Sequence, residues 1–125
     1  MHQGLIAQDS ELRRYAPPGH AGTVNVRLVE KEFCGAFEMI HGTLAPGGEA
    51  ERHRHEREHQ VIYLLDGEAM VELGDAPAVR CGAGAVIRIP PRLDHRLVNT
   101  GPTPLKLIVL YSPPLPPRDD TPIGE

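Results

Sequence analysis

Residues 47–67 read GGEAERHRHEREHQVIYLLDG, and this stretch decides how the rest of the chain is read. It opens on a turn, because Gly47-Gly48 follows Pro46, and it closes on Asp66-Gly67, a dipeptide suited to the tight turn of a β-hairpin. Between the turns lie His53, His55 and His59, three of the seven histidines in the chain. On a strand, side chains two residues apart project from the same face about 6 to 7 Å apart, so His53 and His55 can both turn an imidazole toward one metal ion. The run from His55 to His59 also spells H-E-x-x-H, a zinc-binding pattern when it lies on a helix. The context argues against a helix: Gly47-Gly48 leaves little room upstream, and VIYLLDGEAMVEL downstream reads as a β-hairpin.

The flanking sequence continues the strand-and-turn pattern. Val24, Val26 and Leu28 alternate with Asn25 and Arg27, as on a half-buried strand, and residues 36–44 form a second extended stretch that ends at Pro46-Gly47-Gly48. Residues 60–65 and 68–73 are the arms of the hairpin, and residues 85–89, 95–99 and 105–111 read as further strands. Turn signals therefore recur about every 8 to 12 residues, the spacing of an all-β sandwich or barrel. The barrel is expected over residues 23–112. Before it, residues 1–22 form an N-terminal segment with a helical turn over 9–14, stopped by Pro17, Pro18 and Gly19. After it, residues 113–125 form a Pro-rich tail, expected to run in polyproline II style over the barrel or onto a partner subunit.

Composition agrees with this outline. A chain of 125 residues is one domain by default, and Gly 13 and Pro 13 favour many short elements over long helices. The formal charge of −4, with both signs interleaved, offers no basic footprint for nucleic acid or an anionic membrane. The first fifteen residues hold no apolar run of leader length, so a cytoplasmic protein is expected. Cys34 and Cys81 are far apart and outside any CxxC pattern, which excludes a disulfide framework and reads as two buried or idle thiols.

Spacing over the longer range names a family. From Gly47 the chain gives five residues, His53, one residue, His55, four residues, Gln60, six residues and Gly67, which resembles the first cupin motif with Gln60 in the place of the usual Glu. From Gly84 it gives five residues, Pro90, one residue, Arg92, two residues, His95, three residues and Asn99, which resembles the second cupin motif with Arg92 in the place of a Gly. The two motifs together cover about half the chain. The resemblance implies a double-stranded β-helix, or jelly-roll barrel, of antiparallel strands with extended terminal segments. It also implies a metal centre built from His53, His55, Gln60 and His95.

His59 is the alternative to Gln60, since the family admits three or four residues before that ligand. The two lie on opposite faces of a strand. The parity of Ile62 and Leu64 favours Gln60, unless a bulge intervenes. Nitrogen-rich ligation suits a divalent transition metal, Fe, Mn, Ni, Zn or Cu. Three imidazoles and an amide leave its charge uncompensated, which favours an anionic or enolisable ligand. His41 and Arg92 are further candidates for the pocket, while His2 and His20 read as solvated and Asn99 as the residue that fixes the turn after the second motif. Residues 49–58, rich in Glu and Arg, read as a solvated rim. The expected protein is a metal-dependent enzyme, dioxygenase-like, on a small anionic or enolisable molecule. The alternatives are a non-catalytic module that binds a metal or small molecule, and a cupin isomerase or decarboxylase. Small cupins commonly pair, so the resemblance also implies a homodimer.

Overall fold

Short alternating runs closed by glycine and proline can bury their apolar parity only by pairing edge to edge and folding the sheet on itself. The computed structural model describes residues 5–123 and does this with ten strands among them. These are β1 (Arg14–Ala16), β2 (His20–Val29), β3 (Glu38–His53), β4 (His59–Asp66), β5 (Glu68–Leu73), β6 (Val79–Gly82), β7 (Val86–Ile89), β8 (His95–Asn99), β9 (Leu105–Ser112) and β10 (Thr121–Ile123). Every pairing is antiparallel.

The long strand β3 holds the barrel together. Its first half pairs with β9, from Glu38 against Tyr111 to Leu44 against Leu105, and β9 continues through β4 to β7. Its second half pairs with β8, which continues through β5 to β6. On its other edge β3 pairs with β2, and β2 leads through β1 to β10. The two layers bury Ile40, Leu44, Ile62, Leu64, Leu97 and Leu105 between them. This is the antiparallel jelly-roll barrel that the motifs imply.

Some local expectations are corrected. Pro46-Gly47-Gly48 does not end the strand; β3 runs through it and bends, with Gly47 at φ 82°. A side chain at Gly48 would meet the carbonyl oxygens of Ala45, Ala21 and Gly22 at 2.9–3.1 Å, so the bend needs glycine there. The helical turn expected over 9–14 is a single 3-10 turn, Asp9–Glu11, and Arg14 already belongs to β1. The tail does not stay outside the sheet: Thr121–Ile123 pairs with β1, which ties the two ends of the chain together. In β2, Val24 is exposed whereas Thr23 and Asn25 are buried, because the inner face of that strand borders a cavity instead of the apolar core. Cys34 is exposed and Cys81 half-buried, both unpaired. No helix among the described residues is long and apolar enough to cross a membrane.

Candidate metal centre

His53 is the last residue of β3 and faces His95, the first residue of β8, across the ladder. His55 lies two residues beyond the strand end, where the chain has left the ladder and turns toward β4. Its position is fixed by the second motif, since the Arg92 N–H donates to the His55 carbonyl at 2.7 Å. Arg92 makes that contact at φ 66°, the left-handed conformation that explains the family's glycine at this position. The three rings lie 4.3–5.4 Å apart between centroids, and one ring nitrogen from each falls within 4.8 Å of the others.

The hydrogen bonds behind the rings decide which nitrogen faces inward. Nδ1 of His53 lies 2.6 Å from the carbonyl of Glu51, and Nδ1 of His95 lies 2.9 Å from the carbonyl of Leu93. A carbonyl accepts only, so each Nδ1 carries the proton and each Nε2 keeps a lone pair for a metal. Nε2 of His55 and Nε2 of His95 are buried with no hydrogen-bond partner. Gln60, 5% exposed on β4, donates its amide N–H to the Tyr111 hydroxyl at 3.1 Å and leaves its Oε1 buried without a partner. Lone pairs gathered in a buried space with no donor among them are costly unless a cation answers them. The three imidazoles therefore fit a divalent transition metal, with Gln60 and its unpartnered oxygen lining the same cavity.

Electrostatics supports the same protonation state. Burial, reinforced by the charges His53 and His95 would carry, lowers His55 to about 4. Burial likewise lowers His95, against the opposing pull of its hydrogen bond to the Leu93 carbonyl. Both are neutral near pH 7, as metal ligation requires.

The imidazoles open onto a cavity of about 370 Å³ whose inner wall includes Ile40, Leu44, Ile62, Leu97, Leu107 and Val109. His59 is exposed and lies on the other face of β4, outside this cavity. His41 sits on the outer face of β3, between the buried positions Ile40 and Gly42, and Arg92 is exposed at its turn, so neither lines the cavity. His20, in contrast, does. It is not solvated: burial, with the charges of His53 and Arg118 beside it, lowers it to about 4. His2 lies outside the described residues. The charged rim is solvated except at Glu58, which is 5% exposed.

Tyr111, Leu115 and Arg118 are among the cavity residues that the sequence reading does not single out. Tyr111 had a signal, because Leu105, Leu107 and Val109 share its parity on β9 and mark the inward row. Leu115 and Arg118 had none, since only the fold brings the tail back across the barrel. Asn99, 1% exposed, holds the turn after β8 by donating to the carbonyls of Leu44 and Thr103 and accepting from the Gly101 N–H, each at 2.9 Å.

A jelly roll that gathers three imidazoles on the wall of an apolar cavity, lined also by an unpartnered amide oxygen from β4, defines a class of barrel with a candidate metal centre. The chain belongs to the cupin family: the cupin domain matches residues 40–111, which contain all four candidate ligands. It is 36% identical over 108 residues to the protein SchB of Streptomyces halstedii, covering 83% of this chain and 76% of that protein. A predicted oxalate decarboxylase from Thermotoga maritima superposes with a TM-score of 0.76 at 26% identity, covering 86% of this chain and 97% of the other. The polyketide cyclase RemF from Streptomyces resistomycificus, at 22% identity, shares the fold with a TM-score of 0.76, covering 96% of this chain and 85% of its own.

Proposed function

We propose that the chain is a metal-dependent enzyme acting on a small anionic or enolisable organic molecule. The observation that carries this reading is the cluster of three imidazoles on a largely apolar cavity in which His55 Nε2, His95 Nε2 and Gln60 Oε1 are all buried without a partner. A divalent metal held there would supply Lewis-acid polarisation of a ligand oxygen, or a site for O₂. With no carboxylate among the donors, charge balance falls to the ligand, which favours an enolate or carboxylate over a neutral molecule.

The protein supplies the remaining parts. The apolar wall excludes water and strengthens each polar contact in the cavity. Tyr111 accepts the Gln60 N–H, and its own proton has no acceptor among the described residues. Burial pushes its hydroxyl well above the ordinary tyrosine range, so it stays protonated and can donate to a ligand oxygen. The specific form tested first is a dioxygenase. The likeness to the predicted oxalate decarboxylase supports a second form, decarboxylation of a similar substrate without net O₂ uptake.

Elemental analysis of the purified protein, followed by O₂-uptake and CO₂-release assays on diketones, keto acids and phenolic acids, separates these readings. The expected result is a bound first-row transition metal and turnover lost in His95→Ala. Oxygen uptake identifies the dioxygenase, and CO₂ release without it the decarboxylase. Tight ligand binding with no turnover would leave a binding module in place of an enzyme.

A further inference from the structure

The tail that crosses the barrel brings a cation to the cavity. Arg118 lines it together with Leu115, and its guanidinium carbon lies 5.7 Å from the centroid of the Tyr111 ring. Its charge is felt by His20, His55 and Tyr111, so it lies within electrostatic reach of the candidate metal centre.

This guanidinium is poorly spent on the protein. Its nearest carboxylates are Glu38 at 3.5 Å and Asp120 at 4.0 Å, and its side chain forms no hydrogen bond among the described residues. The neighbouring Arg27 shows what a committed pair looks like here: it holds Asp120 by a hydrogen bond of 2.6 Å. Asp120 is thus already engaged, and the Oε1 of Glu38 that Arg118 approaches is itself buried without a hydrogen-bond partner. Nη1 enters neither of these ion pairs, so part of the fork remains at a partly buried position to donate to a carboxylate. A second pocket shares Leu115 and Arg118 with this cavity, so the guanidinium lies where the two adjoin.

We infer that Arg118 is the carboxylate-binding residue of the cavity, and that the ligand is a carboxylate with an apolar body whose second oxygen function lies toward His53, His55 and His95. The inference rests on the cavity being a ligand site, and it assigns the substrate class and the residue that selects it. The apolar body lies between Leu115 of the tail and the wall formed by Ile40, Ile62 and Val109. A guanidinium facing the carboxylate and a metal facing the other end give two-point recognition, which discriminates by length as well as charge.

The test uses 3-phenylpropionate and its uncharged amide, titrated by calorimetry into the full chain, Arg118→Leu, Arg118→Lys and metal-free His95→Ala. One charge-assisted hydrogen bond predicts that the carboxylate binds about tenfold or more tightly than the amide. That preference should be lost in Arg118→Leu, partly kept in Arg118→Lys, and kept in His95→Ala, where no metal can substitute for the arginine. Metal content and circular dichroism matching the parent show that Arg118→Leu is folded. A preference unchanged in Arg118→Leu, one that disappears only in His95→Ala, or an absence of carboxylate binding to the parent chain each overturns the inference. The second of these would leave the metal-centre reading intact, which separates the two failures.

Discussion

As the proposed fourth ligand, Gln60 would leave the charge of the bound metal uncompensated. A carboxylate at this position would neutralise half the charge of a divalent ion, so Gln60→Glu should retain metal about tenfold more strongly against a chelator and bind anionic ligands less well. Competition with a chromophoric chelator measures the first change and calorimetry the second. Tyr111→Phe acts in the other direction. It leaves the Gln60 N–H buried and unpaired, at a cost of about 1–3 kcal/mol in thermal or urea unfolding, and it frees the amide to rotate away from the metal. The histidines give a pH signature. His20 and His55, lowered by burial to about 4, well under the ordinary histidine range, are neutral in the folded chain where the unfolded chain already takes up protons. Stability of the metal-free protein should therefore be flat above pH 7 and fall as pH drops from 6.5 toward 4, which a melting series reads directly. His20→Asn should make that fall shallower.

At the scale of the element, β3 carries most of the design. Its sixteen residues serve both layers, and the bend at Pro46-Gly47-Gly48 sends the strand that ends at His53 over to β8. Gly47→Ala meets open space and carries only the strain of φ 82°, about 1–2 kcal/mol. Gly48→Ala drives a methyl into three backbone oxygens that cannot rotate away, so it should cost about 2–3 kcal/mol and weaken metal binding as well, because the end of β3 must shift. Melting curves with and without metal separate the two. The strands β4 and β5 were legible from their apolar runs on either side of Asp66-Gly67, but the hairpin expected between them does not form: β4 pairs with β7 and β9 and β5 with β6 and β8, so the Asp-Gly turn carries the chain from one layer of the barrel to the other. The bend was misread as a stop because Pro-Gly-Gly ends a strand by local chemistry, and only pairing with β2 and β8 carries the backbone through it. The short strands β1, β6 and β10 were illegible for a related reason. They are three or four residues long, mostly lack an alternating apolar row, and take their shape from partners distant in the chain. Arg92 shows the opposite case: the motif's glycine position was legible in the sequence, and the structure keeps its left-handed backbone even with arginine there.

Across the whole molecule, the candidate ligands stand on three strands or their ends, β3, β4 and β8, so nothing in the unfolded chain holds them together. Motif spacing makes the histidines legible in the sequence, whereas Arg118 and Leu115 reach the cavity only because the tail folds back to pair with β1 through Thr121–Ile123. A metal that binds the folded barrel and not the unfolded chain must stabilise the barrel by mass action. At a hundredfold excess over the dissociation constant the gain is about 2.7 kcal/mol, roughly a 10 °C rise in melting temperature for a domain of this size. Nickel, zinc or ferrous iron added to the metal-free chain should give that rise, and magnesium or calcium should not, because the donors are nitrogens and a neutral amide. His95→Ala should abolish the rise with little change in the metal-free melting point, since removing an imidazole whose Nε2 is buried and unpartnered takes away a desolvation cost along with its packing. A scan in which the parent and His95→Ala respond equally to nickel would place the bound metal elsewhere on the chain.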